Sequence, residues 1–276
     1  MRNLIAIICL IFVVFIRSGY AQTLLLQANG SQYAYTLFNR KLVEFDGNAF
    51  ETPDCSHQDF GPHITQVYDA ILRKDVFRFH IHRDEDTDRC VKFDRQRTEI
   101  KVYAKSPDWL KATEKSSFTY KWKIKVDQKF QPSKKFTHFF QLKGVGGAYG
   151  MPLLTLTARK GPRNQLDRLE VRHATHGKAS KIRVAKLQPF LGKWLQVNVE
   201  VIFGTKGRFV IQIISMNENN PLLYHESNSI KMWKKDANFI RPKWGIYRSL
   251  RDKQSLRDEV INFADIEIKV NSAMGN

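Results

Sequence analysis

The chain has 276 residues and carries 45 Lys and Arg against 27 Asp and Glu, a formal net charge of +18. Its length fits one large domain or two small ones, and its positive charge predicts a polyanionic partner. Beyond the N-terminal segment, no apolar stretch is long enough to form a membrane-spanning helix, which argues against an integral membrane protein.

The N-terminal segment has the pattern of an export signal. Arg2 supplies a positive start, residues 4–16 are almost wholly apolar, and the small residue Ala21 ends the segment. This order predicts a secretory signal peptide over residues 1–21, with an uncleaved anchor as the alternative.

The predicted mature chain, residues 22–276, keeps 255 of the 276 residues, and loss of Arg2 and Arg17 lowers its charge from +18 to +16. We expect a secreted or periplasmic monomer without membrane attachment. Acidic polysaccharide or an anionic envelope surface is then the expected polyanion, and nucleic acid is not; general solubility is the alternative meaning of the charge. Cys55 and Cys90 remain after cleavage, and an isolated pair in an oxidising compartment predicts one disulfide.

In chain order, the first pattern is helical. Ile64, Val67 and Ile71 recur at helical spacing and predict a helix within residues 61–74, and residues 108–115 predict a short helical turn. Period-two alternation predicts strands over residues 118–126, 136–145, 153–158, 166–174, 182–187, 194–203, 208–216, 243–249 and 260–270. Many strands and few helices predict an all-β fold in one domain: a jelly-roll or concanavalin-like sandwich of two antiparallel sheets.

A further predicted strand groups cations around a carboxylate. Arg95, Arg97, Glu99 and Lys101 alternate along residues 94–101 and therefore share one face. Because Arg donors form a fork that matches a planar carboxylate, we interpret this face as an anion-binding surface. A solvated strand face is the alternative.

Two other strands add an amide, amines and a phenol to this surface. Gln141 and Lys143 share a face, whereas His138 takes the other face unless a bulge intervenes, and we interpret it as a structural histidine. Lys243 and Tyr247 share a face as well. A Tyr hydroxyl among cations suits general acid or base catalysis, and a Tyr packed over the sheet is the alternative.

The neighbours of these residues refine the interpretation. Gly245, on the face of Tyr247, leaves room for a bound chain to approach the backbone, whereas Arg248 takes the opposite face. Arg172 and His173 point to opposite faces of their strand, so one of them reaches the cleft, where His173 would be a candidate base. The Gly-rich residues 143–152 lack a phosphate-loop ending and are interpreted as a mobile flap or a wide turn.

Metal binding has only weak signals. Asp84, Asp86 and Asp88 alternate as in an oxygen-rich calcium site, but the run lacks the Gly and Glu of an EF-hand, and a solvated acidic loop is the favoured interpretation. His80 and His82 share a strand face, and zinc there would need a third ligand that the sequence does not identify. The sequence requires no cofactor, and structural calcium is left open.

Three segments carry a resemblance. Residues 94–101, 139–143 and 243–248 resemble the signature strands of jelly-roll polysaccharide lyases, most closely the heparin lyase I-like group, with glucuronan and alginate lyases more distant. The Glu-x-Asp-x-Glu strand of jelly-roll glycoside hydrolases and the Gly-x-Ser-x-Gly elbow of serine hydrolases are both missing from the sequence.

The resemblance implies β-elimination at a uronic acid. It implies that Arg97 and Gln141 hold the substrate carboxylate, that Lys243 binds the anion, and that Tyr247 acts as the acid and also as a possible base. Further substrate-binding candidates are Arg95, Glu99, Lys101, Arg172 and Arg248.

The sequence departs from the family pattern at one position. Several members carry Gln-x-His, whereas this chain has Lys143 in place of the histidine, so the base is left open between Lys143, His173 and Tyr247. The alternatives to a lyase are a non-catalytic carbohydrate-binding sandwich, which would not need Tyr247, and, less favoured, a glycoside hydrolase.

Overall fold

A computed structural model describes residues 22–147, 150–216, 218 and 220–271. The predicted signal peptide, residues 1–21, lies outside the described residues. The strands are β1 Thr23–Leu26, β2 Phe50–Glu51, β3 Ile64–Asp69, β4 Lys74–Ile81, β5 Arg95–Lys101, β6 Ser117–Val126, β7 Thr137–Val145, β8 Leu154–Arg159, β9 Arg168–His173, β10 Ser180–Lys186, β11 Trp194–Ile202, β12 Gly207–Ser215, β13 Pro221–Ile230, β14 Phe239–Ser249 and β15 Glu259–Val270. The helices are α1 Ala34–Leu42 and short 3-10 turns at Gln58–Phe60, Asp108–Leu110, Gln188–Phe190 and Lys253–Ser255. Within the described ranges, no helix is long and apolar enough to cross a membrane.

The strands form two antiparallel sheets. The outer sheet has the order β13-β12-β11-β6-β15-β4-β3, with β1 also paired to β15, and the cleft sheet has the order β10-β9-β8-β7-β14-β5-β2. This arrangement confirms the prediction of a jelly-roll sandwich with few helices. Three of the four strands with predicted site residues, β7, β14 and β5, are adjacent in the cleft sheet, and the fourth, β9, lies two strands beyond β7.

The core lies between the two sheets and draws side chains from both. On the outer sheet, Trp122 is fully buried and stacks on Phe140 of the cleft sheet, with ring centroids 4.6 Å apart. Trp244 of β14 packs edge-on against Trp122 at 6.2 Å. Each such aromatic side chain removes roughly 150–250 Å² from water, so the packing holds the inner face of the site strands rigidly.

The helix predicted within residues 61–74 is wrong. These residues form β3 and the turn into β4, and Val67 pairs with Val76 across the hairpin. A short apolar run satisfies helical and strand periods equally well, and here pairing with β4 decides the outcome. The sequence reasoning also missed α1, where Leu37, Phe38 and Leu42 face the core.

Candidate active site

The register of three neighbouring strands brings the predicted residues together on the face of the cleft sheet that points away from the core. On β14, Tyr247 lies opposite Arg97 of β5 and opposite His138 of β7. Four residues earlier, Lys243 lies opposite Gln141 of β7. Paired residues share a face, so this face gathers the phenol, the imidazole and the amide.

Two buried carboxylates form the floor of this face. Lys243 Nζ lies 2.5 Å from Glu51 Oε2 and 2.6 Å from Glu99 Oε2, and Gln141 also donates a hydrogen bond to Glu99. Burial raises the pKa of Glu51, but the positive charges of Lys243, Arg97 and Lys101 outweigh burial and hold that pKa well below its usual range. Sequence reasoning missed Glu51, because the two-residue edge strand β2 shows no periodicity.

Arg97 is held by carboxylates of the chain itself. Its Nη1 donates to Glu51 at 2.8 Å and to Glu99 at 3.1 Å, and its Nη2 donates to Asp88 at 3.1 Å. Burial lowers the pKa of Arg97, and the surrounding carboxylates raise it to a net value above the usual one. Most of the guanidinium donors are therefore already used, which leaves Arg97 less capacity for a ligand carboxylate than the sequence pattern implies.

Tyr247 lies between cations and an imidazole. Its hydroxyl oxygen accepts a hydrogen bond from Arg95 Nη1 at 2.9 Å, and the Arg97 guanidinium stacks 3.8 Å above its ring. The ring centroid of His138 is 5.8 Å away. Because the oxygen acts as acceptor towards Arg95, the phenolic proton is left available for a donor role.

His138 joins the site through a bulge. The register of β7 against β8 shifts between His138 and Phe140, so His138 faces the same side as Gln141. The two residues are three positions apart, and in a regular strand they would face opposite sides. His138 Nδ1 lies 2.6 Å from Thr157 Oγ1. Burial first, and then the positive charges of Arg97 and Arg172, lower the pKa of His138 to about 3, so the imidazole is neutral at ordinary pH. The bulge is the exception that the sequence analysis named, and it places His138 on the face of Gln141.

An open depression of about 340 Å³ extends from this centre along the Gly-rich segment. Its lining consists of Glu51, Arg89, Arg97, Lys143, Arg241 and residues 144–146. The Lys143 ammonium forms no hydrogen bond or ion pair with any residue that the structure describes. Burial first, and then the charges of Lys243, Arg97 and Arg241, lower the pKa of Lys143 to about 8. The Gly-rich loop includes residues 148 and 149, which lie outside the described residues.

The charges around the centre do not balance. Its three carboxylates are Glu51, Asp88 and Glu99, and its six cations are Arg89, Arg97, Lys101, Lys143, Arg241 and Lys243. The excess of cations is concentrated at the open depression, where Lys143 and Arg241 are only partly buried. The centre therefore favours an anionic ligand.

Two predicted site residues lie on the core side of the cleft sheet. His173 pairs with the core residue Leu154 and so faces away from the cleft, and its Nε2 bonds the Lys231 carbonyl at 2.8 Å. Arg248 is fully buried on the core side of β14, and its Nε donates to Gln96 at 2.7 Å. These positions rule out direct contact between His173 or Arg248 and a ligand on the open face.

Arg172 lies on the open face but at a distance from the centre. It sits on β9, two strands beyond β7, and donates to Glu170 at 2.7 Å. Arg159 and Arg168 surround the same buried carboxylate. Arg172 therefore belongs to a second cationic group on the same sheet.

The acidic loop does not form the calcium site considered from the sequence. Asp84 is exposed and pairs with Arg83 and Lys253, Asp86 is buried among histidines, and Asp88 turns towards Arg97. Their carboxylates diverge to separate partners, so they offer no common oxygen cage. The predicted disulfide between Cys55 and Cys90 is confirmed.

The two-sheet sandwich is the fold of polysaccharide lyases of known structure. An endo-β-1,4-glucuronan lyase from the fungus Trichoderma reesei superposes with a TM-score of 0.56 at 11% identity, over 90% of this chain and 94% of that chain. A PL-14 alginate lyase from Aplysia kurodai superposes with a TM-score of 0.56 at 12% identity, over 91% and 100%. Alginate lyase A1-II', a member of polysaccharide lyase family 7, superposes with a TM-score of 0.55 at 13% identity, over 81% and 94%.

At these identities the likeness shows a shared fold. No protein-family model matches the sequence, and no curated protein matches it. The resemblance to jelly-roll lyases is confirmed as a fold shared with glucuronan and alginate lyases. The heparin lyase I-like assignment is more specific than this shared fold shows.

Proposed function

We propose that the protein is an exported, monomeric polysaccharide lyase that cleaves a uronic acid-containing anionic polysaccharide by β-elimination. The observation that carries the proposal is the cationic excess around Tyr247 on the open face of a lyase-type sandwich. Export rests on the sequence pattern of residues 1–21 and agrees with the Cys55–Cys90 disulfide, a bond typical of oxidising compartments.

The difficult step is removal of the proton next to a carboxylate, because the resulting carbanion places a second negative charge beside the negative carboxylate. Cationic and amide donors around the carboxylate stabilise the enolate-like intermediate. A base takes the C5 proton, the C4–C5 double bond forms as the C4–O bond breaks, and an acid protonates the leaving oxygen. The products are a new chain end and an unsaturated uronate.

In this proposal, Tyr247 donates its proton to the leaving oxygen, because Arg95 occupies the acceptor side of its hydroxyl. Lys143 and Arg241, with the remaining donors of Arg97 and Gln141, bind the substrate carboxylate. Lys243 supports the floor through Glu51 and Glu99 rather than touching the substrate.

The base is one of three groups on the open face. Lys143 has a pKa of about 8, so part of its population is the neutral amine near that pH. The neutral His138 imidazole and Tyr247 itself are the other two. His173 is excluded from the role by its position on the core side of β9.

The test is incubation of the purified protein with glucuronan, alginate, heparin, heparan sulfate and ulvan, followed by the ultraviolet absorbance of unsaturated uronate. We expect a rise on at least one polymer. The Tyr247→Phe variant should lose turnover by about 10²–10⁴-fold while keeping its affinity for that polymer. Binding of a polymer without any unsaturated product would instead identify a carbohydrate-binding protein, and shortened chains without the double bond would identify a hydrolase.

A further inference from the structure

A second group of titratable side chains lies outside the candidate active site. His57 and His63 come from the segment that precedes β3, and His82 and Asp86 come from the turn that follows β4. One ligand atom of each residue lies within 4.8 Å of a ligand atom of every other. Four side chains of types that bind metals, from two separate segments, are therefore close enough together to hold one metal ion.

The distances match a compact coordination shell. Asp86 Oδ1 lies 3.0 Å from His63 Nε2 and 3.3 Å from His57 Nδ1, and Asp86 Oδ2 lies 3.3 Å from His82 Nδ1. Tetrahedral zinc with bonds of about 2.0–2.1 Å separates neighbouring ligand atoms by roughly 3.3 Å. The four groups therefore need little movement to surround one ion.

The outer contacts are those that orient a ligand histidine. His63 Nδ1 lies 2.7 Å from Asp54 Oδ1, and Asp54 in turn accepts hydrogen bonds from the Tyr35 hydroxyl at 2.8 Å and the Thr52 hydroxyl at 2.9 Å. A carboxylate behind a ligand imidazole fixes its ring and directs the other nitrogen at the metal. Here the other nitrogen, Nε2, points at Asp86.

Burial adds an independent observation. His82 Nδ1 is buried and, within the described residues, makes no hydrogen bond, although it lies near Asp86. The ring of Phe60 covers the group, at 4.2 Å from the His82 ring and 4.9 Å from the His63 ring. An unpartnered buried ring nitrogen aimed at a carboxylate is costly unless a further group is bound there.

We propose that His57, His63, His82 and Asp86 form a structural zinc site. Three imidazole nitrogens and one carboxylate oxygen suit Zn²⁺, whereas calcium requires mostly oxygen ligands. The four protein ligands fill a tetrahedron and leave no position for a substrate, so the ion has a structural role.

The site explains how two parts of the active site are held together. The segment with His57 and His63 follows Glu51, and the segment with His82 and Asp86 precedes Asp88. The carboxylates of Glu51 and Asp88 both bind Arg97. The Cys55–Cys90 disulfide joins the same two segments covalently. Zinc would act as a second crosslink beside it.

The test uses the untagged full-length mature chain, stripped with a chelator, dialysed against zinc and then against buffer. We expect about one zinc per chain by elemental analysis, the visible spectrum of tetrahedral cobalt after substitution with Co²⁺, and a higher Tm with zinc than without. His82→Ala should hold less than about a tenth of the zinc and lose the cobalt spectrum.

The matched control is His80→Ala, which lies two residues away, bonds Thr65 and is not one of the four ligands. It should keep wild-type zinc. Should His82→Ala fail to fold, His57→Ala replaces it, because His57 is partly exposed and its ring hydrogen-bonds only Asp86 within the described residues. Wild type without retained zinc, or equal zinc in the control and the ligand variants, overturns the proposal. Zinc is measured without substrate, so neither result bears on the lyase proposal.

Discussion

Lys143 differs from the other cations of the candidate active site because its ammonium has no hydrogen-bond or ion-pair partner among the described residues. The charges of Lys243, Arg97 and Arg241 surround it, and burial adds to their effect in lowering its pKa to about 8. A lysine with such a pKa can lose its proton in ordinary buffer, which an exposed lysine does not. In the proposed reaction, its protonation state would decide whether it acts on the C5 proton or only binds the carboxylate.

If Lys143 is the base, kcat should rise with pH through about 8, because the neutral amine becomes available there. Lys143→Arg, which stays charged, should lower kcat by about 10²–10⁴-fold and remove the rise. Steady-state kinetics from pH 6 to 10 measures both. A higher KM with unchanged kcat would instead assign Lys143 to carboxylate binding.

His138 should make the protein less stable in acid. In the folded protein its pKa is about 3, below the ordinary value of 6.5. As the pH falls below 6.5, His138 therefore becomes protonated in the unfolded chain but stays neutral in the folded protein, which favours unfolding. Stability should fall on this account between pH 6.5 and 3, by on the order of 2–5 kcal/mol in total.

Urea unfolding of wild type and His138→Gln at pH 7, 5.5 and 4 isolates this effect. The variant keeps all other titrating groups, so the stability difference between the two proteins should shift in favour of the variant as pH falls. A difference that does not change with pH would mean that His138 titrates normally.

Among the elements, β14 is central because it pairs with both β5 and β7. Gly245 adopts a φ of +144°, and a Cβ there would lie 2.1 Å from the Thr98 carbonyl oxygen and 2.7 Å from Glu99 Cα. The sequence analysis interpreted Gly245 as leaving room for a bound chain to approach the backbone. The structure shows that the neighbouring strand β5 already lies too close for any side chain at this position.

Gly245→Ala should therefore destabilise the protein by on the order of 2–4 kcal/mol and displace Glu99. Chemical denaturation measures the loss, and kcat/KM should fall with it because Glu99 holds Arg97 and Lys243. Gly177→Ala, where a Cβ meets no atom within 4 Å, is the control and should be neutral. Equal stability of the two variants would contradict the steric argument.

At the scale of the whole molecule, the Cys55–Cys90 disulfide closes a loop with a sequence separation of 35 residues. A loop of this length stabilises the fold by about 3–4 kcal/mol, chiefly because it restricts the unfolded chain. The double variant Cys55→Ser/Cys90→Ser should lose about that much in urea unfolding, and wild type in reductant should lose the same amount. A loss below about 1 kcal/mol would show that other contacts already hold the two segments.

The sequence alone determined what is local. Alternation in β6, β7 and β14 predicted strands, and many strands predicted a sandwich. A strand can be predicted in this way because apolar and polar residues alternate along consecutive positions when one face is buried. It also put Arg97 with Glu99, and Lys243 with Tyr247, on common strand faces. An isolated pair of cysteines behind the sequence pattern of an export signal was enough to predict their bond.

Only the tertiary structure decided what depends on neighbouring strands. The bulge in β7 turned His138 towards Gln141, pairing with β4 made residues 64–69 a strand, and the edge strand β2 brought Glu51 to Arg97. The same packing closed His57 and His63 onto His82 and Asp86. Glu51 and Arg97 are far apart in the chain, and the β7 bulge and the β3 strand depend on pairing with a neighbouring strand. The free energy of these arrangements comes from pairing and burial, which no local pattern of residues encodes.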